Sequence, residues 1–269
     1  MLSAMKNISI FAKEWGPPGQ ADAFLFLHGV ESHSGWFAAV ADRLVSQGLW
    51  TRAYDRTGWG QSSGTRGHAP DVKAVLEEAR DNVKQLKERG AKRIHLIGQS
   101  WGALVAITLS QLAPDELFRM TLISPGLYPS IAKSLGIASR AVGGILRGGY
   151  DTVPISLGTT PEAFSPSPDS QNWISKDNFR VTAISCQTLV TTLRFTWRCG
   201  TLLPHGAFAV PTQVLVGSLD VMIDRNRTLH FARRKGAQIE VVPGAGHALV
   251  LDAPILVADA LLRFHENHV

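Results

Sequence analysis

The run Arg93-Ile94-His95-Leu96-Ile97-Gly98-Gln99-Ser100-Trp101-Gly102-Ala103-Leu104-Val105-Ala106-Ile107 joins a short apolar strand pattern to a longer apolar helix pattern through a serine set between glycines. Gly98-Gln99-Ser100-Trp101-Gly102 fits G-x-S-x-G, a strained strand-turn-helix that lifts a serine hydroxyl clear of the turn. Glycine belongs on both sides because flanking Cβ atoms would clash in so sharp a bend. Gly60-Gln61-Ser62-Ser63-Gly64 fits the same expression, so context has to separate the two. Ser62 has no strand immediately before it and no helix immediately after, and reads as a structural turn. Ser100 is the candidate nucleophile.

Outward from that turn, β-rich apolar runs at 8–13, 23–27, 51–54, 93–97, 119–123, 213–216 and 238–242 alternate with helix patterns at 36–47, 71–89, 101–112, 225–234 and 254–265. The alternation predicts an α/β fold, a mostly parallel central sheet flanked by helices. Asp71 and Gly90 suit the N-cap and C-cap of the second helix. After Ser124 the rhythm stops, and no convincing strand pattern returns until residue 213. Over 131–146, Ile131, Leu135, Ala138, Val142 and Ile145 recur at helical spacing, as do Ile184, Leu189, Leu193 and Trp197 over 181–197, while residues 152–169 are rich in Pro, Ser and Thr and read as loop. The expected organisation is a core made of 1–125 and 209–269, interrupted by a helical cap insertion at 126–208 over the carboxyl edge of the sheet.

A serine hydroxyl needs an adjacent base, and the base needs a carboxylate to hold its tautomer. With the chain order Ser, acid, His, only His247 follows a late strand and sits in a flexible loop, Gly244-Ala245-Gly246. His230 falls in a helix pattern, His265 and His268 in the C-terminus with surface roles, and His95 on a strand with a structural role. Asp220 follows the strand at 213–216 by a short loop and takes the orienting role. Its rival, Asp224, immediately precedes a helix and suits an N-cap. The oxyanion donors fall to the backbone N–H of Trp101 and of Val30, the latter in His28-Gly29-Val30 after the strand at 23–27. Neither a metal nor an organic cofactor is implied.

With 269 residues, 45% hydrophobic and 18% charged, the chain can bury one large core, which excludes disordered and fibrous classes. No stretch approaches the ~18 apolar residues of a membrane span, and residues 1–11 lack a signal peptide's apolar run, so a soluble, cytoplasmic protein is expected. Cys186 and Cys199 read as two reduced thiols, with a bridge between them as the alternative. The net charge of +5 is scattered, with no basic run interleaved with aromatics, so no nucleic-acid partner is expected. Basic residues outnumber acidic ones between 126 and 205, a solvated face or one suited to transient contact with an anionic lipid surface.

His28-Gly29-Val30-Glu31-Ser32-His33-Ser34-Gly35 and Asp55-Arg56-Thr57-Gly58-Trp59-Gly60-Gln61-Ser62-Ser63-Gly64-Thr65-Arg66-Gly67-His68 resemble the monoacylglycerol lipase and lysophospholipase family of α/β-hydrolases. The resemblance covers the catalytic core. It implies the α/β-hydrolase fold, a triad at Ser100, Asp220 and His247, and an oxyanion hole at Val30 and Trp101. Glu31 stands where that family usually has Gly, and Ser32 where it usually has Glu. Gln99-Ser100-Trp101-Gly102 is also similar to the Ser-Trp-Gly elbow of proline iminopeptidases.

Three functions remain in view. The first is hydrolysis of small-molecule esters with an apolar acyl chain through an acyl-enzyme. The second keeps the mechanism and changes the bond to an N-terminal amide or a carbon-carbon bond. A peptidase would need a carboxylate for the substrate amine, and Glu162 and Asp177 are the candidates. The third is a low-turnover small-molecule binder, which would have no need of all three triad groups.

Overall fold

The computed structural model describes residues 9–130, 136, 139–140, 154–202 and 206–266. Seven strands form one sheet in the order β1-β3-β2-β4-β5-β8-β9: β1 Ala12–Trp15, β2 Asp22–Leu27, β3 Trp50–Tyr54, β4 Arg93–Gln99, β5 Arg119–Ile123, β8 Thr212–Gly217 and β9 Gln238–Val242. Only β1 runs antiparallel, against β3. The remaining pairs are parallel. Each parallel step needs a crossover, and the long apolar-faced helices supply it.

Five helices lie on those crossovers, α1 Ala38–Val45, α2 Val72–Glu88, α3 Trp101–Leu112, α6 Cys186–Leu202 and α7 Arg225–Arg234, and after β9 the short α8 Leu249–Asp252 leads into α9 Pro254–Glu266. Asp71 caps α2 by accepting from Ala74 N at 2.8 Å, and Gly90 follows it at φ +110°. One core layer packs α2 and α3 onto the sheet through residues such as Val83, Leu86, Leu104 and Ile107. The other packs α1 and α9 on the opposite face through Val40, Leu44, Val257 and Leu261. Among α3 residues, Trp101 to Ser110 are all buried, which is why its sequence is apolar rather than amphipathic.

Between β5 and β8 the chain adds β6 Ile155–Ser156, α4 Pro161–Phe164, α5 Pro168–Ser175, β7 Ala183–Ile184 and α6. The stretch 152–169, expected as loop, therefore holds a strand and a helical turn: Ile155 pairs with Ile184, and Pro161 and Pro168 preset their helices' first turns. The helix expected over 181–197 begins instead at Cys186, because Ile184 is committed to that strand pair. Its buried face also differs from the expected one. Thr188, Thr191, Phe195 and Cys199 are buried, whereas Leu193 is 61% and Trp197 67% exposed. The helix expected over 131–146 lies outside the described residues. Cys186 and Cys199 are free and buried. They sit thirteen positions apart on one helix, about 20 Å, too far for a disulfide. Among the described residues no helix is long and apolar enough to cross a membrane.

Candidate active site

At the carboxyl end of β4 the backbone turns through Ser100 at φ 52° and ψ −111°, a conformation that costs a non-glycine residue energy and persists only when its surroundings enforce it. The enforcement is visible in the glycines. A Cβ on Gly98 would lie 2.6 Å from Gly102 O, and one on Gly102 would lie 2.1 Å from Leu27 O. Ser100 N donates to Ile123 O at 2.9 Å, and Gly126 N donates to Ser100 O at 3.0 Å, tying the turn to β5 and the loop beyond it.

Ser100 Oγ lies 2.9 Å from His247 Nε2, and His247 Nδ1 lies 2.9 Å from Asp220 Oδ2. A carboxylate only accepts, so Nδ1 carries the imidazole proton and Nε2 presents its lone pair to the hydroxyl. Asp220 Oδ1 accepts from Met222 N at 2.9 Å. Burial pushes the Asp220 carboxyl up, but the charge and hydrogen bond of His247, with the Met222 N–H, outweigh it and hold the group below its ordinary value. Asp220 and His247 side chains are 0% and 4% exposed, so bulk water does not compete for the relay.

The rivals are accounted for elsewhere. Asp224 Oδ1 accepts from Arg227 N at 3.0 Å and caps α7. Ser62 Oγ donates to Asp55 O and accepts from Phe11 N at 2.8 Å, a turn role. His95 is buried in the sheet with Nε2 2.8 Å from Thr121 Oγ1, and His230 is exposed. His265 departs from expectation. It is buried at 7% exposure, stacked on His95 and 3.6 Å from Asp22, because the last turn of α9 packs against the sheet rather than fraying. His268 lies outside the described residues.

The loop after β2 passes directly beneath the elbow, so close that a Cβ on Gly29 would lie 3.3 Å from Ser100 Cβ. Ser32 Oγ accepts from Gly29 N at 2.8 Å. Among the described residues, the N–H groups of Val30 and Trp101 have no hydrogen-bond partner. Both residues line the same cavity as Ser100 and His247. Two unpaired N–H donors beside a strained serine can stabilise an oxyanion.

Side chains remote in sequence brace this loop, among them Asp177, which the sequence offered only as a candidate for a substrate amine. Glu31, whose side chain is 1% exposed, pairs with Arg180 at 2.8 Å and accepts from Thr159 Oγ1 at 2.6 Å. Asp177 accepts from Trp36 Nε1 at 2.9 Å and lies 3.0 Å from His33 Nε2. Its carboxyl, pushed up by burial, is drawn down more strongly by His33. On the other side, Ala248 N donates to Phe164 O at 2.9 Å, and the Phe164 ring lies 6.0 Å from that of His247. The sequence signs of these contacts were the surplus of basic residues that includes Arg180 and a Glu31 standing where the resembled family usually has Gly.

Above Ser100 lies a cavity of about 310 Å³ whose walls include Trp101, Leu104, Leu157, Ile184, Leu189 and Leu193. Trp101 Nε1 donates to Thr192 Oγ1 at 2.8 Å, fixing the indole against α6. The cavity is lined mainly by apolar side chains, with Ser100 and His247 among its walls.

A family model described as serine aminopeptidase, S33 matches residues 20–254. Human monoglyceride lipase is 24% identical over 96% of this chain and 84% of its own length. The monoglyceride lipase homolog of monkeypox virus is 24% identical over 91% of this chain and 88% of its own. Among solved structures, the monoacylglycerol lipase of Paleococcus ferrophilus superposes with a TM-score of 0.81 at 22% identity, covering 97% of this chain and 100% of that one. A soluble variant of the Saccharomyces cerevisiae monoglyceride lipase, in complex with a substrate analog, also gives 0.81, at 15% identity over 99% of this chain and 94% of that one.

Proposed function

Because the chain belongs to the serine aminopeptidase S33 family of α/β-hydrolases, we propose that it is a serine carboxylic ester hydrolase acting through an acyl-enzyme. Ser100 is the nucleophile, His247 the general base and Asp220 the acid that orients it. The observation that carries this reading is the unbroken chain of two 2.9 Å contacts from Asp220 through His247 to Ser100, at the foot of an apolar cavity.

His247 Nε2 takes the hydroxyl proton as Oγ attacks the ester carbonyl, and Asp220 stabilises the imidazolium that forms. The tetrahedral oxyanion is received by the N–H groups of Val30 and Trp101. Collapse expels the alcohol, which takes the proton back from His247. Water, activated by the same imidazole, then releases the acid.

The segment 126–208 serves as the cap, and its apolar wall holds the acyl chain. Several relatives are named as monoglyceride lipases, and an apolar cavity is what a monoacylglycerol would fill. The peptidase reading needs a carboxylate for the substrate amine. Asp177 is bonded to His33 and Trp36, Glu162 is exposed, and neither lines the cavity. Leu193 and Trp197, exposed on α6, suit brief contact with a lipid surface by an enzyme of the cytoplasm.

The test is kcat/KM across acetyl, butyryl, octanoyl and palmitoyl esters, and for 1-monoacylglycerol against lysophospholipid. Each CH₂ buried in the cavity contributes up to about 0.8 kcal/mol, so the ratio should climb toward octanoyl or longer. A maximum at acetyl, with no turnover of monoacylglycerol, would sink the lipase reading.

A further inference from the structure

We propose that Arg56 is a positioning residue for the oxyanion peptide: its guanidinium holds the Gly29 carbonyl and so aims and polarises the Val30 N–H. The proposal rests on the reading of Val30 as an oxyanion donor. Arg56 Nη2 donates to Gly29 O at 2.7 Å and Nη1 donates to His28 O, so the planar fork spans two consecutive carbonyls. The described backbone has no cis peptide bond. In a trans peptide the C=O and N–H point opposite ways, so fixing the Gly29 oxygen fixes the direction of the Val30 hydrogen.

A second donor reaches the same oxygen. Arg56 N donates into His28 Nε2 at 3.1 Å, which places the imidazole proton on Nδ1, and Nδ1 donates to Gly29 O at 2.9 Å. The carbonyl of the next peptide is also held, by Trp59 Nε1 donating to Val30 O at 2.6 Å. Val30 is thus clamped through the oxygens on both sides of it, while its own N–H is left unpaired.

The charge matters as well as the geometry. A cation on a carbonyl oxygen draws electron density from the attached N–H and strengthens it as a donor, most of all where water is excluded. Arg56 is 3% exposed and lies between the rings of Trp59 at 4.8 Å and Trp101 at 4.4 Å. Burial brings its pKa down to about 10, so it remains cationic at neutral pH, with Asp55 and Glu78 as nearby opposite charges. Trp101 also carries the second oxyanion N–H, so the guanidinium packs on the side chain of one donor residue and bonds the peptide that carries the other.

Arg56→Met and Arg56→Lys test this, with kcat counted per titrated active site on a soluble p-nitrophenyl ester. Affinity for a trifluoromethyl ketone, whose hemiketal oxygen occupies the hole, is the second readout. Removing a direct oxyanion donor costs about 10²–10³-fold in kcat, and an effect exerted through one peptide should be smaller, about 10- to 100-fold for Arg56→Met. Lysine keeps the charge but not the fork, so its loss should fall between. KM should stay within about twofold, and ketone affinity should fall by the same factor as kcat/KM. A folded Arg56→Met with kcat within twofold of the parent, or a kcat loss not matched in ketone affinity, would overturn the proposal. Collapse of both variants, seen by circular dichroism, would overturn it too, because the guanidinium would then serve the fold rather than the hole. Activity surviving Ser100→Ala is a separate result, and it would sink the underlying reading instead.

Discussion

Lowering the pH from 7.5 to 5.5 should cost this protein up to about 3 kcal/mol of stability, through two buried imidazoles outside the Ser100–His247–Asp220 relay. His28 and His95 are each 1% exposed. Burial first, then the charge of Arg56 for His28 and of His265 for His95, holds both well below the ordinary value of 6.5. The folded state keeps them neutral to lower pH than the unfolded chain, which binds a proton at each as the pH falls through 6.5. The state that binds more protons gains on acidification, so stability is lost as the pH falls. At pH 5.5, one unit below the unfolded value, each imidazole contributes at most one pH unit of linkage, so the pair contributes up to about 3 kcal/mol of destabilisation. His265, also held below its ordinary value by burial, adds to the loss, whereas Glu78 works against it, since burial raises its carboxyl and the folded state takes up its proton more readily. Asp220 and Asp177 are held low and titrate below the window. The loss is a large share of a typical 5–15 kcal/mol. Urea midpoints at pH 7.5, 6.5 and 5.5, with unchanged slope, measure it, and His95→Phe should remove about half the drop. A midpoint that does not move with pH would refute the reasoning.

Asp220→Asn should lower kcat by roughly 10⁴-fold with little change in folding, whereas Asp224→Ala should leave kcat intact and cost about 1 kcal/mol of stability; equal kinetic losses in the two would exchange their roles. Ser100→Ala should abolish turnover and fluorophosphonate labelling while Ser62→Ala keeps both, and a labelled Ser100→Ala would move the nucleophile. Glu31→Leu leaves Arg180 buried without its carboxylate and should cost about 3–5 kcal/mol in thermal unfolding, with much of it recovered in Glu31→Leu/Arg180→Met; no recovery would mean that the cost was not electrostatic. Gly102→Ala should fail to fold, since the new Cβ meets Leu27 O at 2.1 Å, while Gly200→Ala, with open space around it, should stabilise α6 by about 0.5–1 kcal/mol. The reverse order in a melting experiment would discredit that geometry.

The elements that position the site were legible because they obey local rules. β4, the elbow and α3 announce themselves by one apolar run broken by G-x-S-x-G, and β5 and α7 run between the very residues the pattern suggests. Asp224 and Asp71 could be read as caps because capping is a contact with the next turn of chain. What escaped was decided by contacts remote in sequence. Trp197 shares a helical stripe with Leu189 and Leu193, yet α6 turns Thr191, Phe195 and Cys199 to α3, since the Trp101 ring packs on Phe195 and Thr108 faces Cys199. His265 looked terminal and proved buried, because Phe24, His95 and Phe118 form an aromatic pocket that a linear reading cannot assemble.

The same distinction governs how the oxyanion loop is held. Asp55 in β3's exit loop accepts from Ser34 N at 2.6 Å and Gln61 N at 2.8 Å, so the run that resembles a lipase motif is a brace between two loops rather than a reacting group. Gly60 is obligatory there because a Cβ would fall 2.0 Å from the Asp55 carboxylate. From above, Arg180 and Asp177 grip Glu31, His33 and Trp36 on that loop. Val181 N adds a bond to Glu31 O at 3.0 Å. Residues 159–181 therefore cannot lift from the sheet without separating a buried ion pair, a cost of several kcal/mol. The helix α6 on the cavity's other wall is held by neutral hydrogen bonds, Thr188 Oγ1 to Gly67 O at 2.7 Å, Ala69 N to Thr188 Oγ1 at 2.7 Å and Trp101 Nε1 to Thr192 Oγ1 at 2.8 Å, and by apolar packing. An ion-paired brace beside Val30 and an apolar wall across the cavity suit the proposed chemistry. The donors must not move as charge develops, whereas the acyl chain varies in length and must enter and leave.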